Sequence, residues 1–215
     1  MDSEPLHYRA FQEVLAPLGM GHDYEHYLKH YIGFDDRDAF LEAFRCAGRP
    51  LAPGALAALI QAKEAALQRI LADGISTFPG VVALVQQLAE HGVPLAVASG
   101  ALRHEVEGFL DALGIRKAFS AIVAADDVNR SKPDPETYLT ALKRLSEVLP
   151  SRELRPDACI AIEDTQAGIR SAKSAGLFVI AVANSYGADQ LSEADFVVES
   201  LVEIDVVRMV QLLER

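Results

Sequence analysis

Tryptophan is absent from the 215 residues, and cysteine occurs only as Cys46 and Cys159. Two distant thiols in different kinds of segment make neither a disulfide framework nor a metal-binding spacing, and a reducing cytoplasm fits them. Long apolar runs are missing too. None reaches the roughly 18 residues that a membrane span requires, and the opening Met1-Asp2-Ser3-Glu4-Pro5 lacks signal-peptide character. Positive charge is scarce: 20 Lys and Arg stand against 31 Asp and Glu, a net charge of −11. With no basic stripe, such a surface repels nucleic acid and anionic membrane. The same acidity also serves plain solubility. An anionic substrate on this chain needs local help from a metal or a placed lysine.

Hydrophobic residues make up 50% and charged residues 24%, with no long block of one sign. That is a folded composition, with room for one sizeable core or a core plus a smaller module. The texture changes near residue 75. Before it the pattern is helical. Leu6, Phe11, Val14, Leu15 and Leu18 predict a helix over Pro5–Leu18, and helices follow over Asp38–Cys46 and Pro53–Leu71. Asp73-Gly74 is a turn signal. After Pro79-Gly80, helices predicted over 81–90, 102–113, 135–148, 165–175 and about 202–213 alternate with strands over 93–99, 120–125, 159–162, 177–182 and 196–198. Short apolar strands alternating with helices predict a parallel sheet covered on both faces.

In such a sheet, ligands sit outside the carboxyl ends of the strands. Ser99-Gly100 follows the first predicted strand, Asp126-Asp127 and then Lys132-Pro133 follow the second, and Glu163-Asp164 ends the third. Adjacent carboxylates suit Mg²⁺, which takes one or two of them plus phosphate and water. A serine hydroxyl, the N–H groups after it and a helix start suit a phosphoryl group. A lysine sets a compact charge against a phosphoryl transition state. Each element has an ordinary reading as well: Ser99 as a turn or cap residue, Lys132 as a solvated lysine, Asp164 as a helix cap. Their order and shared edge favour the chemical reading.

Leu95-Ala-Val-Ala-Ser99-Gly100 resembles the second motif of the haloacid dehalogenase superfamily, and Arg130-Ser-Lys132-Pro133-Asp-Pro135 resembles its third. Ile162-Glu163-Asp164-Thr-Gln-Ala-Gly168-Ile-Arg-Ser-Ala-Lys-Ser-Ala-Gly176 closely resembles its fourth, and the likeness points to the β-phosphoglucomutase/phosphoglycolate phosphatase branch. The resemblance implies an α/β, Rossmann-like core, residues 1–4 and 75–215, with an inserted α-helical cap, residues 5–74. It implies a Mg²⁺-dependent phosphatase, a phosphoric monoester hydrolase, acting in the cytoplasm on a small phosphorylated metabolite, without nucleic acid or membrane. Ser99, with Gly100, binds the phosphoryl group, Lys132 holds the nucleophile and the transferring phosphate, and Glu163 and Asp164 bind Mg²⁺. Gly33-Phe-Asp-Asp-Arg37 is similar to a substrate-contacting cap loop, so Arg37 is expected to meet the substrate; an ordinary surface ion pair is its other reading.

The superfamily's first motif is an apolar strand ending Asp-x-Asp-Gly, whose first Asp accepts the phosphoryl group. Asp2-Ser3-Glu4-Pro5-Leu6-His7 looks like the stretch just after it, and Asp36-Arg37-Asp38 and Asp126-Asp127 do not replace it. The first central strand is therefore expected to be missing from this chain, and the chain as given to lack turnover. About five buried apolar side chains at roughly 1.5–3 kcal/mol each are involved, on the order of a whole domain's net stability. A sugar phosphomutase of the β-phosphoglucomutase type and a non-catalytic phosphometabolite-binding protein are the alternatives. His22, His26 and His30 have the four-residue spacing of zinc ligands on a helix, but the interleaved tyrosines favour an ordinary cap helix.

Overall fold

The computed structural model describes residues 4–31, 34, 36–52, 54–73, 77–150 and 154–214. Contacts divide the chain into two compact units, residues 2–75 and residues 76–215.

The first unit is helical: α1 Glu4–Leu15, α2 Tyr24–His30, α3 Asp36–Cys46 and α4 Ala55–Ala72. Its core gathers Phe11, Leu15, Tyr27, Tyr31, Phe40 and Ala43. Asp23 caps α2 by accepting the His26 N–H at 2.8 Å, so His22 stands before the helix and only His26 and His30 lie on it. The three rings still follow one another, with centroids 4.9 and 4.4 Å apart, and burial lowers the pKa of His22. Among the described residues no group of three or more His, Cys, Asp or Glu side chains is arranged to hold a metal ion. Lys63 on α4 is 2% exposed; its ammonium lies 2.7 Å from Asp36 Oδ1 and 2.8 Å from His7 Nδ1. An ammonium only donates, so Nδ1 of His7 accepts.

The second unit alternates strands and helices: α5 Val81–Glu90, β1 Ala96–Ala98, α6 Arg103–Ala112, β2 Ala121–Val123, α7 Glu136–Val148, β3 Ile160–Glu163, α8 Gln166–Ser174, β4 Phe178–Val182, β5 Phe196–Val198 and α9 Val206–Leu213. Every pairing is parallel. Leu84, Leu88, Ile180, Val182, Val198, Met209 and Leu212 pack on one side. Tyr138, Ala161, Ile169, Ala172, Val179 and Leu191 pack on the other, so helices cover both faces. The helix expected over 202–213 is interrupted, because Asp205 accepts the Arg208 N–H at 2.7 Å and starts α9 afresh after a 3₁₀ turn at Leu201–Glu203. Gly80, before α5, has φ 88°, and a Cβ there would lie 2.6 Å from backbone atoms of Leu201 and Val202. Only glycine fits that approach.

The parallel sheet, expected with its first central strand missing, is present as two sheets. β2 pairs with β1 (Ala96↔Ala121, Ala98↔Val123), while β3, β4 and β5 form the other, with Ile160↔Phe178 and Ile180↔Phe196. Among the described residues β1 pairs with β2 alone and β3 with β4 alone, so the break falls between β1 and β3. Burial follows the break. All three residues of β1 are half-buried, and Ile162 on β3 is 36% exposed, whereas β4 is almost wholly buried.

Beyond β2, Asp127 ties the sheet edge together. Its Oδ1 accepts from Arg144 at 2.8 Å, and its Oδ2 accepts from the Ala124 N–H at 2.8 Å and from Arg103. The Arg144 hydrogen bond, opposed by desolvation and helped by the Ala124 N–H and the charge of Arg103, lowers its pKa from 3.8 to about 2. A depressed carboxylate stabilises the fold above its unfolded pKa, and the gain is lost as pH falls through the folded value. Asp127→Asn is expected to cost roughly 2 kcal/mol at pH 7. In urea unfolding, that deficit should shrink between pH 4 and pH 2; a deficit independent of pH would contradict the assignment.

Candidate active site

Three loops at the carboxyl ends of the strands carry the expected groups. After β1 the backbone turns at Ser99, whose N–H donates to Val123 O at 2.9 Å and whose Oγ accepts the Ala101 N–H at 3.1 Å. Two bonds hold this turn against the segment after β2: Ala125 N to Ala101 O at 2.9 Å, and Arg103 N to Asp126 Oδ1 at 3.0 Å. The Asp126-Asp127 pair thus braces the serine loop. Gly100 is exposed, with open space where a Cβ would stand, so neither packing nor a left-handed φ demands glycine there.

Lys132 comes from the loop between β2 and α7. Its ammonium donates to Ala98 O at 3.1 Å, one residue before Ser99, and also to Oε1 of Glu163 at the end of β3. One side chain therefore reaches both half-sheets. The pair is sequestered, with the lysine side chain 17% and the glutamate side chain 6% exposed. Asp164, next in sequence, is half-buried, and its Oδ2 accepts from Ser185 Oγ at 2.6 Å. Thr165 caps α8 by accepting the Gly168 N–H at 3.1 Å, and its own hydroxyl lies 3.4 Å from Glu163 Oε2.

Lys132, Glu163 and the Ser99 loop are thus brought to one edge, with Asp164 following Glu163. Arg37 belongs to the helical unit, exposed in the first turn of α3; Gly33 and Asp35 of its loop lie outside the described residues. Glu163, expected to be a metal ligand, has Oε1 engaged by Lys132 and by the Tyr138 hydroxyl, which donates at 2.5 Å. Asp164 fits Mg²⁺ more readily: an accessible carboxylate is the single protein ligand that such an ion, completed by phosphate and water, can use. A cleft of about 250 Å³ lined by Val93, Pro94, Lys117 and Leu149 lies at the opposite edge, by the amino ends of β1 and β2, away from these groups.

Tyr138 and Ser185 are additions that the sequence reading does not contain. For Tyr138 a signal exists: it shares the inner face of α7 with Ala141, Leu142 and Leu145 at helical spacing, and a buried tyrosine hydroxyl must find a partner. Burial and the Glu163 charge raise its pKa well above 10, so it remains a donor. Ser185 carries no such signal, because it stands alone beyond β4.

Residues 1–182 match the family described as haloacid dehalogenase-like hydrolase. Fructose-1-phosphate phosphatase YqaB of Escherichia coli (strain K12) is 32% identical over 185 residues, 85% of this chain and 90% of that one. Validoxylamine A 7'-phosphate phosphatase of Streptomyces hygroscopicus subsp. limoneus is 37% identical over 128 residues, 60% of this chain, and the match spans 57% of its length. The structure of a CbbY mutant from Rhodobacter sphaeroides in complex with xylulose-(1,5)-bisphosphate superimposes with a TM-score of 0.77 at 30% identity, covering 97% of this chain and 93% of that one.

Gly168 tests how tightly Glu163 is seated. A Cβ at Gly168 would collide with the carboxylate of Glu163. Gly168→Ala is expected to destabilise the protein by on the order of 1–3 kcal/mol, the cost of overpacking. In a Glu163→Ala background the same change should cost at least about 1 kcal/mol less, since the two positions touch. Equal costs in both backgrounds, measured by urea unfolding, would show that the carboxylate is not seated there.

Proposed function

The chain belongs to the haloacid dehalogenase-like hydrolase family, and from that premise we propose that it serves a Mg²⁺-dependent phosphatase of sugar phosphates and related small phosphate esters. The observation that carries the reading is the Lys132 ammonium, set between the end of β1 and the end of β3. On a chain of net charge −11 it gives an anionic group a local reason to bind. The relatives' names support the substrate class, because they include a sugar phosphate and a bound sugar bisphosphate.

In this reading the phosphoryl group lies over the Ser99 loop. The hydroxyl of Ser99, whose oxygen accepts the Ala101 N–H, keeps its own hydrogen for a phosphoryl oxygen, the Gly100 N–H can meet another, and Lys132 offsets the charge that develops as the ester bond breaks. Asp164 would hold Mg²⁺, which when bound would supply Lewis-acid charge to the site. Ser185 orients Asp164. The nucleophile is the remaining part. Of the described carboxylates of the site, Glu163 is held by Lys132 and Tyr138, and Asp164 is assigned to the metal. An aspartate on a strand between β1 and β3 would fill the role: its carboxylate takes the phosphoryl group, the ester oxygen leaves with a proton given by the second Asp of the Asp-x-Asp-Gly motif, and water, giving its proton back to that Asp, then attacks the phosphorus, releases phosphate and restores the carboxylate. If a second sugar hydroxyl replaces water, the same groups make a phosphomutase.

The test is phosphate release from a panel of sugar phosphates, by residues 1–215 and by a protein in which an apolar strand ending Asp-x-Asp-Gly precedes them. The shorter protein should release nothing above blank. The longer one should turn over, lose activity with EDTA and regain it with Mg²⁺. Lys132→Ala should lower its rate about a hundredfold or more. Robust hydrolysis by residues 1–215 that disappears with Lys132→Ala would overturn the nucleophile assignment. Failure of both proteins to hydrolyse any ester, with phosphate still bound, would favour a binding protein.

A further inference from the structure

Buried Glu163 and half-buried Lys132 form a pair, and a third residue completes it. Tyr138 lies on the inner face of α7 and is 7% exposed. Its hydroxyl donates to Glu163 Oε1 at 2.5 Å, the same oxygen that accepts from Lys132. Its ring also lies under the lysine, with Nζ 5.0 Å from the centroid, within range of a cation–π contact. The phenol therefore touches both members of the pair, one by hydrogen bond and one by its π face. On the far side, the Glu163 carboxylate occupies the space that Gly168 leaves by lacking a Cβ.

We propose that Tyr138 is a positioning residue of this site: by anchoring Glu163 and carrying Lys132 on its ring, it keeps the carboxylate directed at the lysine and leaves Asp164 as the metal's protein ligand in that loop. For Glu163 to turn to a metal ion, it must release both Lys132 and the Tyr138 hydroxyl. That would leave the buried Tyr138 hydroxyl without its acceptor and the half-buried ammonium with the Ala98 carbonyl alone, which is more costly than never having built the pair. Asp164 meets no such penalty, because its partner is the hydroxyl of Ser185, which is free to rotate towards water.

The inference rests on the phosphate-site reading above, and the experiment separates the two. On residues 1–215, the dissociation constants of inorganic phosphate and of Mg²⁺ are measured by calorimetry for the parent, Tyr138→Phe, Glu163→Gln, Asp164→Asn and Lys132→Ala. The rate at which acetic anhydride acetylates Lys132 at fixed pH is followed by mass spectrometry. Tyr138→Phe keeps the ring and the packing, and its melting temperature checks that it folds. It should weaken phosphate binding about tenfold, as one lost hydrogen bond to a charged group does, and should raise the Lys132 acetylation rate at least about threefold. Glu163→Gln should share the phosphate defect and leave Mg²⁺ binding within about threefold, while Asp164→Asn should weaken Mg²⁺ by about tenfold or more. Unchanged acetylation in Tyr138→Phe would overturn the positioning role whether or not phosphate binds. A Mg²⁺ defect in Glu163→Gln equal to that of Asp164→Asn would make Glu163 a ligand and overturn the proposal from the other side. Phosphate binding indifferent to Lys132→Ala would count against the phosphate site itself, with the acetylation result still deciding Tyr138.

Discussion

The ammonium of Lys132 joins two half-sheets that share no backbone ladder among the described residues. It donates to the Ala98 carbonyl at the end of β1 and to the buried carboxylate of Glu163 at the end of β3. An ammonium has three donor directions, and these two contacts define where the third points. The other site groups are placed relative to that head group. Ser99 follows Ala98 in the chain, Asp164 follows Glu163, and Tyr138 sits beneath the ammonium. The cation is held by two acceptors of different kinds, a neutral carbonyl and a carboxylate, which leave one of its three N–H directions for a further acceptor. That suits a site meant to receive an anion on an otherwise acidic surface.

Such a pair is a poor way to gain stability. Removing two charges from water costs more than their attraction returns unless further hydrogen bonds complete the shell. Here the shell is completed: Tyr138 bonds the carboxylate, Ala98 bonds the ammonium, and Thr165 approaches the second oxygen. The cost is then better understood as fixing a geometry. The same logic runs through the Ser99 loop, where Asp126 and Asp127 hold the backbone with charge-assisted bonds from outside the site.

Much of this is legible in residue order. Apolar runs short enough for buried strands, separated by amphipathic helices, suffice to place β1 to β5, and Val81–Glu90 and Phe196–Val198 have the bounds the pattern predicts. Spacing alone places Ser99, Lys132 and Glu163 on one edge, because parallel strands send all their carboxyl ends the same way. What fails does so for local reasons. The apolar period of the last helix runs through Ile204 and predicts a continuous element, and the capping bond of Asp205 outweighs that period. Adjacency makes the two carboxylates of Glu163-Asp164 look equivalent, whereas alternation along the strand sends one inward to Tyr138 and leaves the other at the mouth. Asp126-Asp127 look like candidate acids and nothing more, since the arginines that engage Asp127 lie 24 residues before it and 17 after.

The break between β1 and β3 gives the site its remaining constraint. Facing strand edges present rows of backbone donors and acceptors, and an edge left open is a hazard for association. A parallel strand between them would be bonded on both sides along its length, which fixes its rotation and its register together. A carboxylate at the end of such a strand has almost no freedom except in its own side chain. It would emerge beside Lys132, between the Ser99 loop and Asp164, with its approach to a phosphorus atom set by two ladders rather than by a loop. Orienting a nucleophile in this way is among the larger sources of rate that a fold can supply. Under the proposed function the open edges and the lysine that spans them are one feature, because the gap that weakens the sheet is where the strand of the nucleophile would lie.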